Sequence, residues 1–370
     1  MESYQKQLIS LLSMSLFNIP SDVTMTDEIF KESRLQAVSS LVSSTDYQVF
    51  ATNIRVINAH EDLTKVLEGI PFVTMKGYAS AYYYPDPYKR PMGDVDFFVA
   101  PENYNKASEA LLNAGFRNLN CEHERHEEFS KDGVIFELHS EIKGIPNGLD
   151  GIKTDSSAAE QKVRSYLSDV IETSEKVQTQ YGEIIIPDAF HHGLIMLLHV
   201  AGHMINDGGV GLRHLCDWAV YVNKIDIGTF SNMLKDMGLW TFACQLTAVC
   251  EKYLGLKKND WTGTWDEEFI DCLFEDIVDG GNFGRKGLYR RALNEVSGDS
   301  GFVASIFKLT NKKYPVTKKY PILLPGATAF WIANYGVRCL TKKCKLIKQI
   351  DWHKSKERID LYKKFKLFEI

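Results

Sequence analysis

Asp94-Val95-Asp96 sets two carboxylates two residues apart, and Glu137 follows inside Phe136-Glu137-Leu138-His139. On a strand, residues i and i+2 point to one face, so Asp94 and Asp96 form a pair. The pair runs straight into Phe97-Phe98-Val99. Ionised groups at the mouth of a buried strand repel each other and are costly unless a cation holds them. Hard oxygen donors of this kind suit Mg²⁺, which takes one or two carboxylates and completes its shell with waters and phosphate oxygens. Glu137 alternates with Phe136 and Leu138 and faces away from both. From a neighbouring strand it either completes the metal set or faces water. His139 shares its face, as a ligand-orienting group or as an ordinary half-buried histidine. The chemistry that fits is metal-dependent phosphoryl or nucleotidyl transfer.

Phosphate binding has its own candidates. Met75-Lys76-Gly77 closes a short apolar run, Ile70 to Met75, and precedes a short helix over Tyr78 to Tyr84. Backbone N–H groups at such a turn are free to bind an anion. Lys76, Gly77 and Tyr78 are therefore candidate nucleotide-binding residues. Arg90, four residues before Asp94, is placed to neutralise phosphate charge; its alternative is a surface-loop arginine. Further on, His192, His199 and His203 fall near one helix face, and Arg213, His214 and Asp217 follow on the next helix. They lack a metal motif such as HExxH. A polar network in a helical bundle is the expected arrangement, with His199, His203, Arg213 and Asp217 as candidate acceptor-binding groups.

The elements that must position these residues follow from periodicity. Leu8, Leu11, Leu12 and Leu16 recur at helical spacing, as do Leu35, Val38, Leu41 and Val42. Residues 1–66 thus read as an N-terminal helical segment. Strand, helix, strand, helix and a hairpin around Lys131-Asp132-Gly133 follow, which gives a catalytic unit over 67–150. Pro101 opens the helix of that unit and Gly115 stands at its C-terminal cap. A charged helix near 157–175, a short strand at Ile184-Ile185-Ile186, and helices at 188–205, 209–223, 227–236, 238–255 and 266–278 make 151–300 a helical acceptor-binding region. Residues 301–370 form a basic helical extension. The fold class is α+β: a small mixed sheet with flanking helices, plus a largely helical C-terminal region.

With 370 residues and 44% hydrophobic content, the chain can bury a sizeable core. Seven cysteines without metal-ligand spacing read as reduced, mostly buried thiols of a cytoplasmic protein. The opening Met1 to Lys6 carries acid early and does not fit a secretory leader. Net charge is −5 but uneven: residues 301–370 hold 16 Lys and Arg against 4 Asp and Glu, leaving the first 300 residues at −17. The acidic body disfavours a nucleic-acid channel. The basic end fits an anionic membrane surface, an acidic partner or the acidic body itself, and internal packing is the expected use. The apolar stretch Ile322 to Leu340 is interrupted by Pro325, Gly326, Asn334, Gly336 and Arg338, so it is a poor membrane span but a candidate for peripheral contact.

The assembled pattern resembles the nucleotidyltransferase superfamily that includes DNA polymerase beta and the kanamycin nucleotidyltransferases. More closely, Met75-Lys76-Gly77, Tyr84-Pro85-Asp86-Pro87, the block Arg90 to Asp96 and Phe136 to His139 look like its bacterial branch labelled uncharacterised nucleotidyltransferase. Leu197-Leu198-His199, His203, Leu212 to Asp217 and Gly281-Asn282-Phe283-Gly284 extend the likeness. Tyr78 departs from the Ser or Gly of the wider superfamily, so Lys76 or Arg90 is expected to supplement the turn. The resemblance implies two Mg²⁺ ions on Asp94 and Asp96, with Glu137 on one of them and as a base for the acceptor. It implies transfer of a nucleoside monophosphate, AMP in the first instance, from a nucleoside triphosphate to a hydroxyl of a small molecule, sugar or protein. The competing classes are a nucleotide-binding or interaction module without turnover, and a transferase acting on RNA or DNA.

Overall fold

The computed structural model describes residues 3–24, 26, 41, 47–119, 126–142, 156–180, 182–207, 209–281, 306–307, 310–311, 313–340 and 352–370. Leu35, Val38, Val42 and Asn282-Phe283-Gly284, singled out above, lie outside these residues. The architecture is α+β. Among the described residues, five strands form one sheet: β1 (Phe72–Thr74), β2 (Asp94–Val99), β3 (Arg117–Asn118), β4 (His126–Lys131) and β5 (Val134–His139). Their order is β1-β2-β5-β4-β3, antiparallel except for the central β2–β5 pair.

Alternation decides the two faces of this sheet. Val95, Phe97 and Val99 of β2, with Val134, Phe136 and Leu138 of β5, are buried on one side. They form a core with Val56, Ile57 and Leu63 of the helix Tyr47–Val66. Asp94, Asp96, Glu137 and His139 are left for the other side. The β4–β5 hairpin turns on Asp132 and Gly133, both at positive φ (51° and 76°), as a two-residue turn requires.

The remaining described chain is mostly helical. The helices Ala189–Gly202 and Leu212–Lys224 are buried almost throughout and pack on Trp240–Val249 and Glu267–Asp279. Gly193 is needed where the first two meet: a Cβ there would lie 2.3 Å from the Tyr221 hydroxyl. That hydroxyl donates to the Ala189 carbonyl at 2.7 Å. The N-terminal helix Ser3–Phe17 packs into this helical core, whereas Tyr47–Val66 packs on the sheet.

One expected element is corrected. The charged helix predicted over 157–175 ends at Tyr166, and Glu175–Thr179 is a strand. Its partner Gly182–Ile186 pairs with it antiparallel, Glu175 opposite Ile186. Cross-strand pairing holds this segment extended, where Val177 and Thr179 are β-formers.

The basic C-terminus divides. Residues of the last helix, Trp352–Lys363, and the tail behind it return to the helical core, where Tyr362, Phe365, Leu367 and Phe368 are buried. Arg358 grips Asp276 through Nε at 2.5 Å, and the Tyr362 hydroxyl donates to the same carboxylate at 2.8 Å. The helix Leu324–Leu340 instead exposes Phe330, Ile332 and Val337. No helix among the described residues is long and apolar enough to cross a membrane. Phe365 packs between Phe242 and Phe269, with ring centroids at 5.0 and 5.8 Å. Phe365→Ala should therefore cost about 3–5 kcal/mol in urea unfolding, while Ile332→Ala should stay within about 0.5 kcal/mol of the parent.

Candidate active site

The parallel register sets Asp96 directly beside Glu137, and Asp94 beside Ile135. Paired residues of adjacent strands share a face, so Asp94, Asp96 and Glu137 project to the same side of the sheet. His139 joins them: its Nε2 is 3.4 Å from Asp96 Oδ1 and 3.3 Å from Glu137 Oε2. The antiparallel register of β4 adds Glu128 opposite Glu137 and His126 opposite His139. Neither had been singled out as a site residue, yet the Asp132-Gly133 turn fixes this pairing by simple counting.

Lys76 Nζ donates to Asp96 Oδ1 at 2.5 Å. Burial works against the Lys76 charge, but Asp96, and behind it Glu137 and Asp94, hold its pKa above the ordinary value. Burial alone would raise the Asp96 carboxyl; Lys76 and His139 outweigh it and hold Asp96 far below the usual range. Asp94 goes the other way. Desolvation, then the charges of Asp96 and Glu137, push its carboxyl upward. The face thus carries more negative charge than Lys76 neutralises. The Lys76-Gly77 turn is pressed onto β2: Met75 N donates to the Asp96 carbonyl at 3.0 Å. Gly77 has φ 57°, and a Cβ on it would sit 3.2 Å from the Asp94 carbonyl oxygen.

A cavity of about 220 Å³ lies between this face and the helices. Lys76, Asp94 and Asp96 line one wall; His199, His203 and Arg213 line the other. Ser80 also faces the cavity, one helical turn beyond Gly77, a position its spacing would have given.

The side chains of two candidate nucleotide-binding residues are engaged within the protein, although Arg90 also lines the cavity. The Tyr78 side chain is buried in the sheet core, its ring 6.1 Å from that of His60. Burial pushes its hydroxyl up to about 12. Arg90 is buried too, and its guanidinium is bound bidentately by Asp217: Nε to Oδ1 and Nη2 to Oδ2, each 2.7 Å. The Tyr84 hydroxyl donates to Asp217 Oδ1 at 2.7 Å. Arg90 and Asp217, assigned separately to nucleotide and acceptor, are partners across the cleft. Their pairing spans 127 residues, which no local pattern reveals.

Asn53 is the positioning residue that the sequence reading missed. Fully buried on the helix Tyr47–Val66, it donates to the carbonyls of Tyr88 (2.5 Å) and Arg90 (2.8 Å). Its Oδ1 accepts from Met92 N at 2.9 Å. One amide thereby fixes the loop that delivers Arg90 and Asp94. The signal was an Asn within the apolar stripe of Val56, Ile57 and Leu63.

Residues 28–255, more than half of the chain, match the model of a family described as uncharacterised nucleotidyltransferase. The chain belongs to that family. It is a nucleotidyltransferase by membership, and the family's matched span includes both walls of the cleft. An antigenic nucleotidyltransferase-like protein from Paracoccidioides brasiliensis is similar to it at 13% identity and a TM-score of 0.33, over 56% of this chain and 94% of that one. No curated protein matches the chain.

Removing one partner of the Arg90–Asp217 pair should strand a buried charge. Asp217→Ala and Arg90→Ala are each expected to cost about 3–5 kcal/mol in urea unfolding. A double-mutant cycle should return a coupling well above that of an exposed pair; additive losses would deny the coupling.

Two buried histidines predict an acid limb. Burial depresses His60 to about 4 and His192 to about 3, and neither ring nitrogen of either residue has a hydrogen-bond partner. Unfolded, each titrates near 6.5. The unfolded chain therefore binds more protons below that pH, and stability present above 6.5 is lost as pH falls towards 4. The loss should be on the order of 3 kcal/mol per histidine. His60→Phe and His192→Phe should each flatten the fall of the urea midpoint between neutral pH and pH 4.

Proposed function

We propose that the chain moves a nucleoside monophosphate from a nucleoside triphosphate to a hydroxyl of an acceptor held in the cleft, releasing pyrophosphate. The observation that carries this reading is the in-register trio Asp94, Asp96 and Glu137 on one sheet face, under-neutralised by Lys76. Donor chemistry fits a hard divalent cation. The groups are carboxylate oxygens, and Asp94 has its pKa raised by burial and then by the like charges of Asp96 and Glu137, which a bound cation would offset. Asp94, Asp96 and Glu137 would hold Mg²⁺, two ions in our reading. When bound, the metal supplies alignment of the phosphates and neutralisation of the charge that develops on the leaving pyrophosphate.

The chain's own groups then have distinct work. Lys76 is paired with Asp96 through Nζ. Once Asp96 is committed to a cation, the Lys76 ammonium is free to pair with a phosphate. Glu137 accepts the acceptor's hydroxyl proton, with His139 holding its carboxylate at 3.3 Å. The helical wall, with His199, His203 and Arg213, orients the acceptor so that its oxygen meets the α-phosphorus. Arg90 and Asp217, which also line the cavity, hold the two walls at a fixed separation.

The test uses each of the four α-labelled nucleoside triphosphates with Mg²⁺ and a panel of small-molecule, sugar and protein acceptors. Transfer is expected in the parent and loss of at least a hundredfold in Asp96→Asn, with a cooperative melting transition retained. Undiminished transfer by that variant would remove Asp96 from the chemistry.

A further inference from the structure

Three imidazoles meet on the helical wall of the cleft. His199 and His203 stand one turn apart at the end of the helix Ala189–Gly202 and the start of the π-helical turn His203–Asp207. His214 comes from the first turn of the next helix, Leu212–Lys224. One ring nitrogen from each lies within 4.8 Å of the other two. The ring centroids are 4.5, 4.7 and 5.5 Å apart. His203 and His214 are buried, and His199 is half-buried at the cavity wall.

We infer that His199, His203 and His214 form a binding site for a divalent ion of the zinc class, separate from the carboxylate face opposite. Three lines of chemistry carry this. Imidazole nitrogens prefer Zn²⁺ and its late-transition neighbours, whereas Mg²⁺ prefers carboxylate and water oxygens. Three protein ligands with the fourth position open to a cavity is the arrangement of a zinc site that also takes a substrate oxygen. Nε2 of His214 is buried and makes no hydrogen bond, so it is costly as it stands and is relieved by a ligand. One bond opposes the site: Gly211 N donates to Nδ1 of His214 at 3.2 Å. Coordination through Nε2 moves the ring proton to Nδ1 and gives up this long bond.

The two walls would then select different ions for the same cavity. An ion on the histidines would present its open position to the acceptor side. Its use in holding an acceptor oxygen rests on the transferase reading, but the site itself does not.

The experiment uses untagged full-length protein, stripped with chelator, and Zn²⁺ alone as probe. Equilibrium dialysis with metal analysis should find one tightly bound zinc per chain, retained in Asp96→Asn and in the presence of excess Mg²⁺. His203→Ala and His199→Ala should each weaken binding tenfold or more. Should His203→Ala unfold, His199→Ala at the half-buried edge serves, and Co²⁺ substitution of the parent gives an independent readout. Intense visible bands of a four-coordinate cobalt site are expected. Absence of tight zinc, equal binding by folded His199→Ala, a weak octahedral cobalt spectrum, or loss of zinc in Asp96→Asn would each overturn the assignment. Loss of transfer activity with zinc binding intact would fail the transferase reading alone.

Discussion

The bidentate pair of Arg90 and Asp217 is the constraint on which the cleft depends. Both groups are removed from water, at 5% and 9% side-chain exposure, and such desolvation costs several kcal/mol per ion before any contact is made. Two charge-assisted bonds at 2.7 Å and a third from Tyr84 offset that cost only if all three geometries hold together. A small slide of the helices over the sheet would break them. The pair is therefore better understood as a lock on relative position than as a large source of net stability. Asn53 completes the lock from the other side by holding the backbone that carries Arg90.

That fixed separation lets a costly site exist. The carboxylates of Asp94, Asp96 and Glu137 share one face because strand register demands it. Lys76 and His139 relieve Asp96, while Asp94 remains pushed towards protonation. The unrelieved charge is the attraction that the site offers to a cation. Gly77, with its left-handed backbone, lets the lysine turn approach β2 closely enough for Lys76 to reach Asp96. Local backbone freedom and long-range charge balance thus meet in two adjacent residues.

What was legible in the sequence was what repeats locally. The period-two pattern of Asp94 to Val99 gives the strand as found, and Asp132-Gly133 gives the hairpin turn. The helices over 188–278 are legible from their apolar spacing. Partnerships were not. Arg90 looks like a phosphate ligand by its closeness to Asp94, but its companion is Asp217, 127 residues on. Tyr78 looks like part of the turn, but helical geometry swings its ring into the sheet core. The helix predicted to reach 175 stops at Tyr166, and Glu175–Thr179 is a strand because Gly182–Ile186 lies beside it. In each case the deciding energy comes from a partner that the local window does not contain.

The charge asymmetry of the chain follows the same logic. Lysine and arginine crowd residues 301–370, yet the tail is anchored by aromatics, with Phe365 and Phe368 fully buried and one buried arginine, Arg358, paired to Asp276. Exposed lysines contribute little to such docking, since solvent and salt screen them. Net charge therefore does not set the register of the tail. Register comes from contacts that leave no freedom of position: Phe368 N on the Gly238 carbonyl at 2.9 Å, and the Arg358 guanidinium on one carboxylate. The same division holds in the cleft, where summed charge attracts an ion and directional bonds decide where the walls stand.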